Sequence, residues 1–403
     1  MTLTAPQDHS AAPARMPAAT PPAPPLVLSN ARLVLADTVV ENGWIACVDG
    51  RIAEFGCGAP PEPGIDLGGS LVTPGFVELH TDHLESHYMP RPGVYWDPLA
   101  AVVSCDAQLA ACGITTVLAS LRVWREEGLD DISGEAVVLA GAVARARGAA
   151  MLRADHFLHL RCEVPMPQTV TEAGALIDRD DVRLLSLMDH TPGQRQFRDE
   201  AKLRAYYRGK TGGLGDDQLD ALLDQRRRYA TLYADDNYAR LVDMAQVRGL
   251  PLASHDDTTL DHVRRSIADG VVLAEFPTTV AAAGALHDGG VKVLMGAPNL
   301  VRGGSHSGNV STVELAAAGA LDILSSDYVP SSLLLAAFEL PRRVPDFSLA
   351  AAVATVSRTP AAAVGLGDRG EIAVGKRADL LQIEDTGALP VIRSVWREGR
   401  RVS

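Results

Sequence analysis

Eight apolar runs, each six to nine residues long, recur through the middle of this chain and constrain its fold more than any other feature. They are GFVELH (75–80), TTVLAS (115–120), HFLHLRCE (156–163), RLLSLMDH (183–190), LPLASHD (250–256), VVLAEFP (271–277), VKVLMGAPN (291–299) and LDILSSD (321–327). Alanine-rich stretches such as DPLAAVVSCDAQLAACG and SGEAVVLAGAVARARG separate several of them. Short buried strands alternating with helices are the pattern of repeated βα units around a parallel sheet. Eight such units in roughly 250 residues predict a (β/α)8 TIM barrel spanning residues 73–365. The stretch from 194 to 249 is too long for one crossover and reads as an inserted helical hairpin.

The flanks have another texture. Residues 26–72 carry β-branched runs separated by Asn-Ala, Glu-Asn-Gly and Asp-Gly, the punctuation of antiparallel hairpins. Residues 366–403 offer three more short strands, so the two chain ends are expected to share a sheet. The first 25 residues, rich in Ala, Pro and Thr, hold too little apolar surface for a core and read as a disordered tail. Their prolines also interrupt every candidate secretory signal.

Composition narrows the function. A net charge of −13 leaves no general basic face for nucleic acid. No uncharged run approaches the ~20 residues of a membrane span. The five cysteines are odd in number and lack CxxC spacing, which suits reduced thiols in a cytoplasm.

In a barrel of this type, chemistry sits where the strands end. Those ends carry His80 with Asp82, Glu163, His190, His255 with Asp256 and Asp257, and Asp327. One histidine at a strand terminus is ordinarily a packing or capping residue. Five strand ends bearing imidazole or carboxylate instead point to a shared divalent ion, with zinc, manganese, iron and nickel all compatible.

These residues, with ELHTDHLESHYMPRPGV, DAQLAACGITTV, SLMDHTPGQRQF, MGAPNLVRGGSHSGN, DILSSDYVPSSLLLAAF and the closing GEIAVGKRADLLQIE, carry a resemblance over roughly residues 26–403. The chain resembles the amidohydrolase superfamily and, within it, the PhnM family of the bacterial carbon–phosphorus lyase pathway. The resemblance implies a barrel flanked by a small composite β-sandwich made from residues 26–72 and 366–403. It also implies a diphosphatase that releases pyrophosphate from α-D-ribose 1-methylphosphonate 5-triphosphate.

On that resemblance, His80, Asp82, Glu163, His190 and His255 would hold one or two divalent ions, zinc foremost. Asp327 would touch the metal and act as general base toward a water. No lysine lies near the third or fourth strand to bridge two ions, and Glu163 is the available substitute. A triphosphate also needs cationic clamps, for which Arg91 and Arg302 are candidates, with His306 and Asn309 in the same Gly- and Ser-rich loop as Arg302. His87 is a candidate substrate contact. Asp82 replaces the second histidine of the superfamily motif and could bind metal or orient His80. His83 stands where the family has Asn and could be a ligand, a substrate contact or neutral. The runs place His190 and His255 on strands four and five, one earlier than the superfamily habit, so either a strand near 170–180 is hidden or this branch is arranged differently. His159 inside its run reads as structural, Lys210 as a solvated helix end, Glu85 as a loop brace, and Tyr95 and Trp96 as a ribose stack or a loop plug. A homo-oligomer, a dimer, is expected. Two other readings are a deacetylase or cyclic-amide hydrolase of the same superfamily, which needs no clustered cations, and a non-catalytic scaffold, which would have lost its ligands.

Overall fold

The computed structural model describes residues 23–125, 134–197, 201, 203–204, 215–305 and 308–403. Residues 1–22 of the expected tail, Lys210, His306 and part of the expected helical insert lie outside the described residues.

The amino-terminal strands are β1 (Leu26–Val34), β2 (Val39–Val48), β3 (Arg51–Cys57), β4 (Ile65–Asp66) and β5 (Leu71–Pro74). Asn42 and Asp49, at φ of 50° and 49°, take the left-handed turn conformations that Asn and Asp tolerate. After β5 the chain enters the barrel through β6 (Phe76–Thr81), β7 (Ile114–Arg122), β8 (Asp155–Glu163) and β9 (Val182–Met188). It continues through β10 (Leu252–His255), β11 (Leu273–Glu275), β12 (Lys292–Gly296) and β13 (Ile323–Ser325). The carboxy-terminal strands are β14 (Leu380–Asp385), β15 (Pro390–Arg397) and β16 (Arg400–Arg401).

Each of the eight apolar runs overlaps one barrel strand. The barrel strands pair in parallel and in chain order from β6 to β13. Residues 169–174 form a helix, so no strand intervenes between β8 and β9 among the described residues, and His190 does follow strand four. Almost every residue of β6 and β7 is buried, as expected of strands covered on both faces. Val77, Leu118, Leu184, Ala253, Leu273, Leu294 and Ile323 fill the lumen, with Phe157 of β8 packed against them.

Helix boundaries follow local chemistry. Thr259 and Thr279 cap the helices Leu260–Ala268 and Val280–Asp288 by accepting from the backbone N–H groups of His262 and Ala282. Gly270 and Gly290, at φ of 75° and 82°, end them in the left-handed conformation that an L side chain resists. Two helices bear on the site: α1 (His83–Tyr88) and α2 (Pro98–Ala111), the latter capped by Asp97 with Pro98 in its first turn. Of the region expected as a helical hairpin, the described part holds a short 3-10 turn, Arg195–Phe197, helical residues at 201 and 203–204, and one helix of 32 residues, Asp216–Val247.

Both chain ends join one sheet of order β16-β15-β14-β5-β1-β2-β3, with β4 beside β1. β5 pairs with β1 on one side and β14 on the other, and Gly75 then passes the chain directly into β6. A Cβ at Gly75 would lie 2.2 Å from Thr115 Oγ1, so only glycine fits this junction.

Candidate active site

The barrel closes between β13 and β6 through a single bridge, Thr81 to Asp327. Side chains complete the seam. Buried Glu78 accepts from the His80 N–H at 2.7 Å, the Ser325 hydroxyl at 2.9 Å and the Ser326 N–H at 2.6 Å. This closure sets the ends of strands one and eight side by side, bringing His80, Asp82 and Asp327 to one rim.

Three residues just beyond strand ends, Asp256, Phe276 and Asp327, have φ of 53° to 55°. Their N–H groups extend the ladder to Glu275 O, Leu294 O and His80 O, after which the chain turns sharply. Phe276 pays for an unusual conformation by stacking edge-on against His80 at 5.0 Å and His255 at 5.3 Å.

At the centre lies Glu275, fully buried at the end of β11. It accepts from His80 Nδ1 at 2.8 Å and from His255 Nδ1 at 3.0 Å. One carboxylate thereby fixes the tautomer of two imidazoles and leaves each Nε2 with a free lone pair. His190 is held similarly, its backbone N–H and its Nδ1 bonding the two oxygens of Glu163 at 2.7 and 2.6 Å.

The free nitrogens face carboxylates. Oδ2 of Asp256 is 3.5 Å from His255 Nε2 and 3.8 Å from His190 Nε2, while His80 Nε2 is 3.9 Å from Asp82 Oδ1. His190, His255 and Asp256 present ligand atoms within 4.8 Å of one another. Oδ2 of Asp256 is buried and has no hydrogen-bond partner, an uncompensated acceptor where a cation would compensate it. The donor set therefore fits a divalent ion.

Burial holds His80 and His255 down to about 3, so both are neutral, the form that binds metal. For His190 burial acts the same way, but Glu163 outweighs it and the net shift is upward. Burial pushes Asp256 and Asp327 up to about 7, with neighbouring carboxylates adding to it. Burial would raise Asp82 too, yet Arg161 and Arg122 hold its carboxyl below the usual range.

A cavity of about 300 Å³ opens above these groups. His80, Asp82, Glu163, His190, His255, Asp327, Arg302 and Asn309 all line it, beside Arg122, Arg161 and Arg226. Arg161, buried on β8, bonds the Asp82 carboxylate, so Asp82 is shared between an arginine and the His80 side of the site.

Other candidates fall elsewhere. Arg91 is exposed and does not line the cavity, because the turn after Pro90, closed by Val94 N–H to Arg91 O at 3.0 Å, carries it away. His83 and His87 face each other on α1 and do not line it either. Tyr95 and Trp96 are exposed on the same outer loop, and Glu85 pairs with Arg122 at 2.9 Å. His159 is buried beneath His80, bonded to Leu79 O and Ser186 Oγ. Sequence reasoning missed Glu275 and Arg161, although each interrupts an apolar run with a charge. It noted Asp256 at its strand end without giving it a role.

A parallel barrel with imidazoles and carboxylates converging at the C-terminal ends of its strands defines a hydrolase of the amidohydrolase superfamily. Residues 304–403 match the model of the Amidohydrolase family. Over 383 residues the chain is 43% identical to α-D-ribose 1-methylphosphonate 5-triphosphate diphosphatase of Escherichia coli K12, covering 94% of this chain and 100% of that protein. It is 26% identical over 389 residues to imidazolonepropionase of Ruegeria sp. TM1040, covering 88% and 91%. N-acetyl-D-glucosamine-6-phosphate deacetylase of Mycobacterium smegmatis shares the fold, with a TM-score of 0.61 at 20% identity over 94% of this chain and 100% of that one. The chain belongs to the PhnM family.

Proposed function

We propose that this protein hydrolyses α-D-ribose 1-methylphosphonate 5-triphosphate to the 5-phosphate and pyrophosphate, within a carbon–phosphorus lyase pathway of phosphonate catabolism. The observation that carries this reading is a full-length 43% identity to an enzyme of that name, joined to a site whose wall is lined by four arginines. The cations matter because water adding across the α–β phosphoanhydride leaves charge on pyrophosphate. Amide hydrolysis at a carbonyl carbon generates no such polyanion, which disfavours the deacetylase reading.

His190, His255 and Asp256 would hold the ion, with His80, Asp82, Glu163 and Asp327 on the same cavity wall available to complete its coordination or to hold a second one. The mixed imidazole and carboxylate set favours zinc, with manganese, iron or nickel as alternatives that metal analysis distinguishes. Such an ion supplies Lewis acidity, polarising a phosphoryl oxygen and making a neighbouring water more acidic. Asp327, whose proton affinity is raised by burial, takes the proton of the attacking water and delivers it to the leaving pyrophosphate. Arg302 and Asn309 bind phosphate oxygens from the loop above, and Arg122, Arg161 and Arg226 lower the local negative potential. The backbone turn at Asp327 aims this carboxylate into the cavity from the barrel seam. A cytoplasmic homodimer fits a pathway enzyme with five unpaired cysteines.

The test is to incubate metal-loaded protein with the ribose triphosphate, a nucleoside triphosphate and an N-acetyl amide, and to follow pyrophosphate and acetate. Pyrophosphate from the first substrate alone is expected; acetate release would overturn the assignment. Asp327→Asn should abolish turnover while metal is retained, because His190, His255 and Asp256 form a ligand group without Asp327. Persistent activity in that variant would remove Asp327 from the base role.

A further inference from the structure

Outside the cavity, a second group of metal-capable atoms converges on α1 and α2. His83 and His87 are four residues apart on α1 and share one face of it. Their Nε2 atoms lie 3.3 Å from each other, and Oε1 of Gln108, on α2, lies 3.1 Å from His87 Nε2. None of the three residues lines the catalytic cavity.

Hydrogen bonding accounts poorly for this arrangement. With Gln108 oriented as described, His87 Nε2 needs one proton to reach two neighbours. With its amide reversed, His87 Nε2 would offer one lone pair to two donors. In either orientation a single group on His87 serves two contacts, whereas a cation at the centre would accept one lone pair from each of the three side chains. The two separations from His87 Nε2 agree with this: ligand atoms about 2.0–2.1 Å from one tetrahedral ion stand roughly 3.3 Å from each other. His83 and His87 are half-buried and Gln108 is exposed, which leaves the fourth position open to water.

We propose that His83 Nε2, His87 Nε2 and Gln108 Oε1 form a second divalent transition-metal site, distinct from the catalytic cradle and suited to imidazole-preferring ions such as zinc, cobalt or nickel. Hard ions are disfavoured, since two of the three donors are nitrogen and no carboxylate is among them. Asp82, the residue before α1, stands between this site and the cavity, so occupation would stiffen the short helix that begins at the catalytic rim.

Zinc titration of the full chain, followed by elemental analysis, decides the matter. The wild type should bind about one more equivalent than His87→Ala or His83→Asn, with the catalytic equivalent retained in both, and Gln108→Ala should weaken the additional site about tenfold or more. Cobalt substitution should give tetrahedral d–d absorption from this site that disappears in His87→Ala. Equal stoichiometry in wild type and both histidine variants, each shown folded by circular dichroism, would overturn the proposal. So would a cobalt spectrum that His87→Ala leaves unchanged. Loss of pyrophosphate release alone bears on the catalytic site and not on this one.

Discussion

Glu275 shows how one side chain can organise a site it does not need to enter. Its two oxygens take the Nδ1–H groups of His80 and His255, so one carboxylate sets the orientation of both rings. An amide in its place has one acceptor oxygen and a donor nitrogen that faces an N–H, so at most one imidazole keeps its tautomer. Glu275→Gln should therefore weaken metal binding about 10- to 100-fold, measured by competition with a chelator. Unchanged affinity would show that the rings are held by packing against Phe276 alone. Most of the rim was legible from sequence because histidine and carboxylate at strand ends are conspicuous; this residue was not. In VVLAEFP the glutamate looks like the polar end of a strand, and only the fold reveals that two imidazoles from distant strands close over it. Arg91 illustrates the reverse. Its position one loop away from His80 suggested a phosphate clamp, but composition says nothing about which way a turn directs its residues.

At the scale of elements, the eight strands were legible because buried parallel strands must be apolar on both faces. Their ends were less so. RLLSLMDH and LPLASHD run past the ends of their strands, since the residues that turn into the cavity are themselves partly buried. The long helix Asp216–Val247 falls in the stretch expected as a hairpin; Tyr238, Leu241, Val242 and Ala245 in its last third pack into the main core, while Leu219 and Leu223 near its start pack with Leu203 in a small separate cluster. The seam between β13 and β6 is invisible to local patterns because it joins residues about as far apart as the barrel allows. Glu78 stitches it with two hydrogen bonds from across the seam, from Ser325 Oγ and Ser326 N–H, and accepts a third from His80 N–H on its own strand. Glu78→Ala leaves buried donors without an acceptor and should lower stability by on the order of 3 kcal/mol or more in urea unfolding. A loss below about 1 kcal/mol would mean that water enters the seam and replaces the carboxylate.

The whole molecule depends on a second cluster at the opposite end of the barrel. Asp155, the first residue of β8, contacts Arg369 at 2.8 Å, Arg377 at 2.5 Å and Arg397 at 3.4 Å. Arg397 ends β15, and Arg377 lies beside β14, so this carboxylate ties the barrel to the sheet that both chain ends build. Sequence periodicity showed two strand-rich ends but could not show where they attach, because the contact rests on charges dispersed over more than two hundred positions. Burial would raise the Asp155 carboxyl, but Arg377, Arg397 and Arg369 outweigh it and hold it below its usual 3.8. A carboxylate depressed in the folded state stabilises fully above its unfolded value and loses that contribution as pH falls through the folded value. Asp379 is shifted upward by burial, only partly offset by Arg377, so its contribution runs the opposite way and blurs the wild-type profile. The difference between wild type and Asp155→Asn removes that ambiguity. Asp155 is partly exposed and its arginines keep other partners, so at neutral pH the variant should be less stable by about 1–2 kcal/mol. The gap should begin to narrow as pH falls below about 4, where the unfolded carboxylate takes up its proton, and should close only once pH has fallen through the lower folded-state value. Urea midpoints measured for both proteins from neutral to acid pH test this. A gap that stays constant into acid would assign the loss to packing at the junction rather than to the charge that joins barrel and sheet.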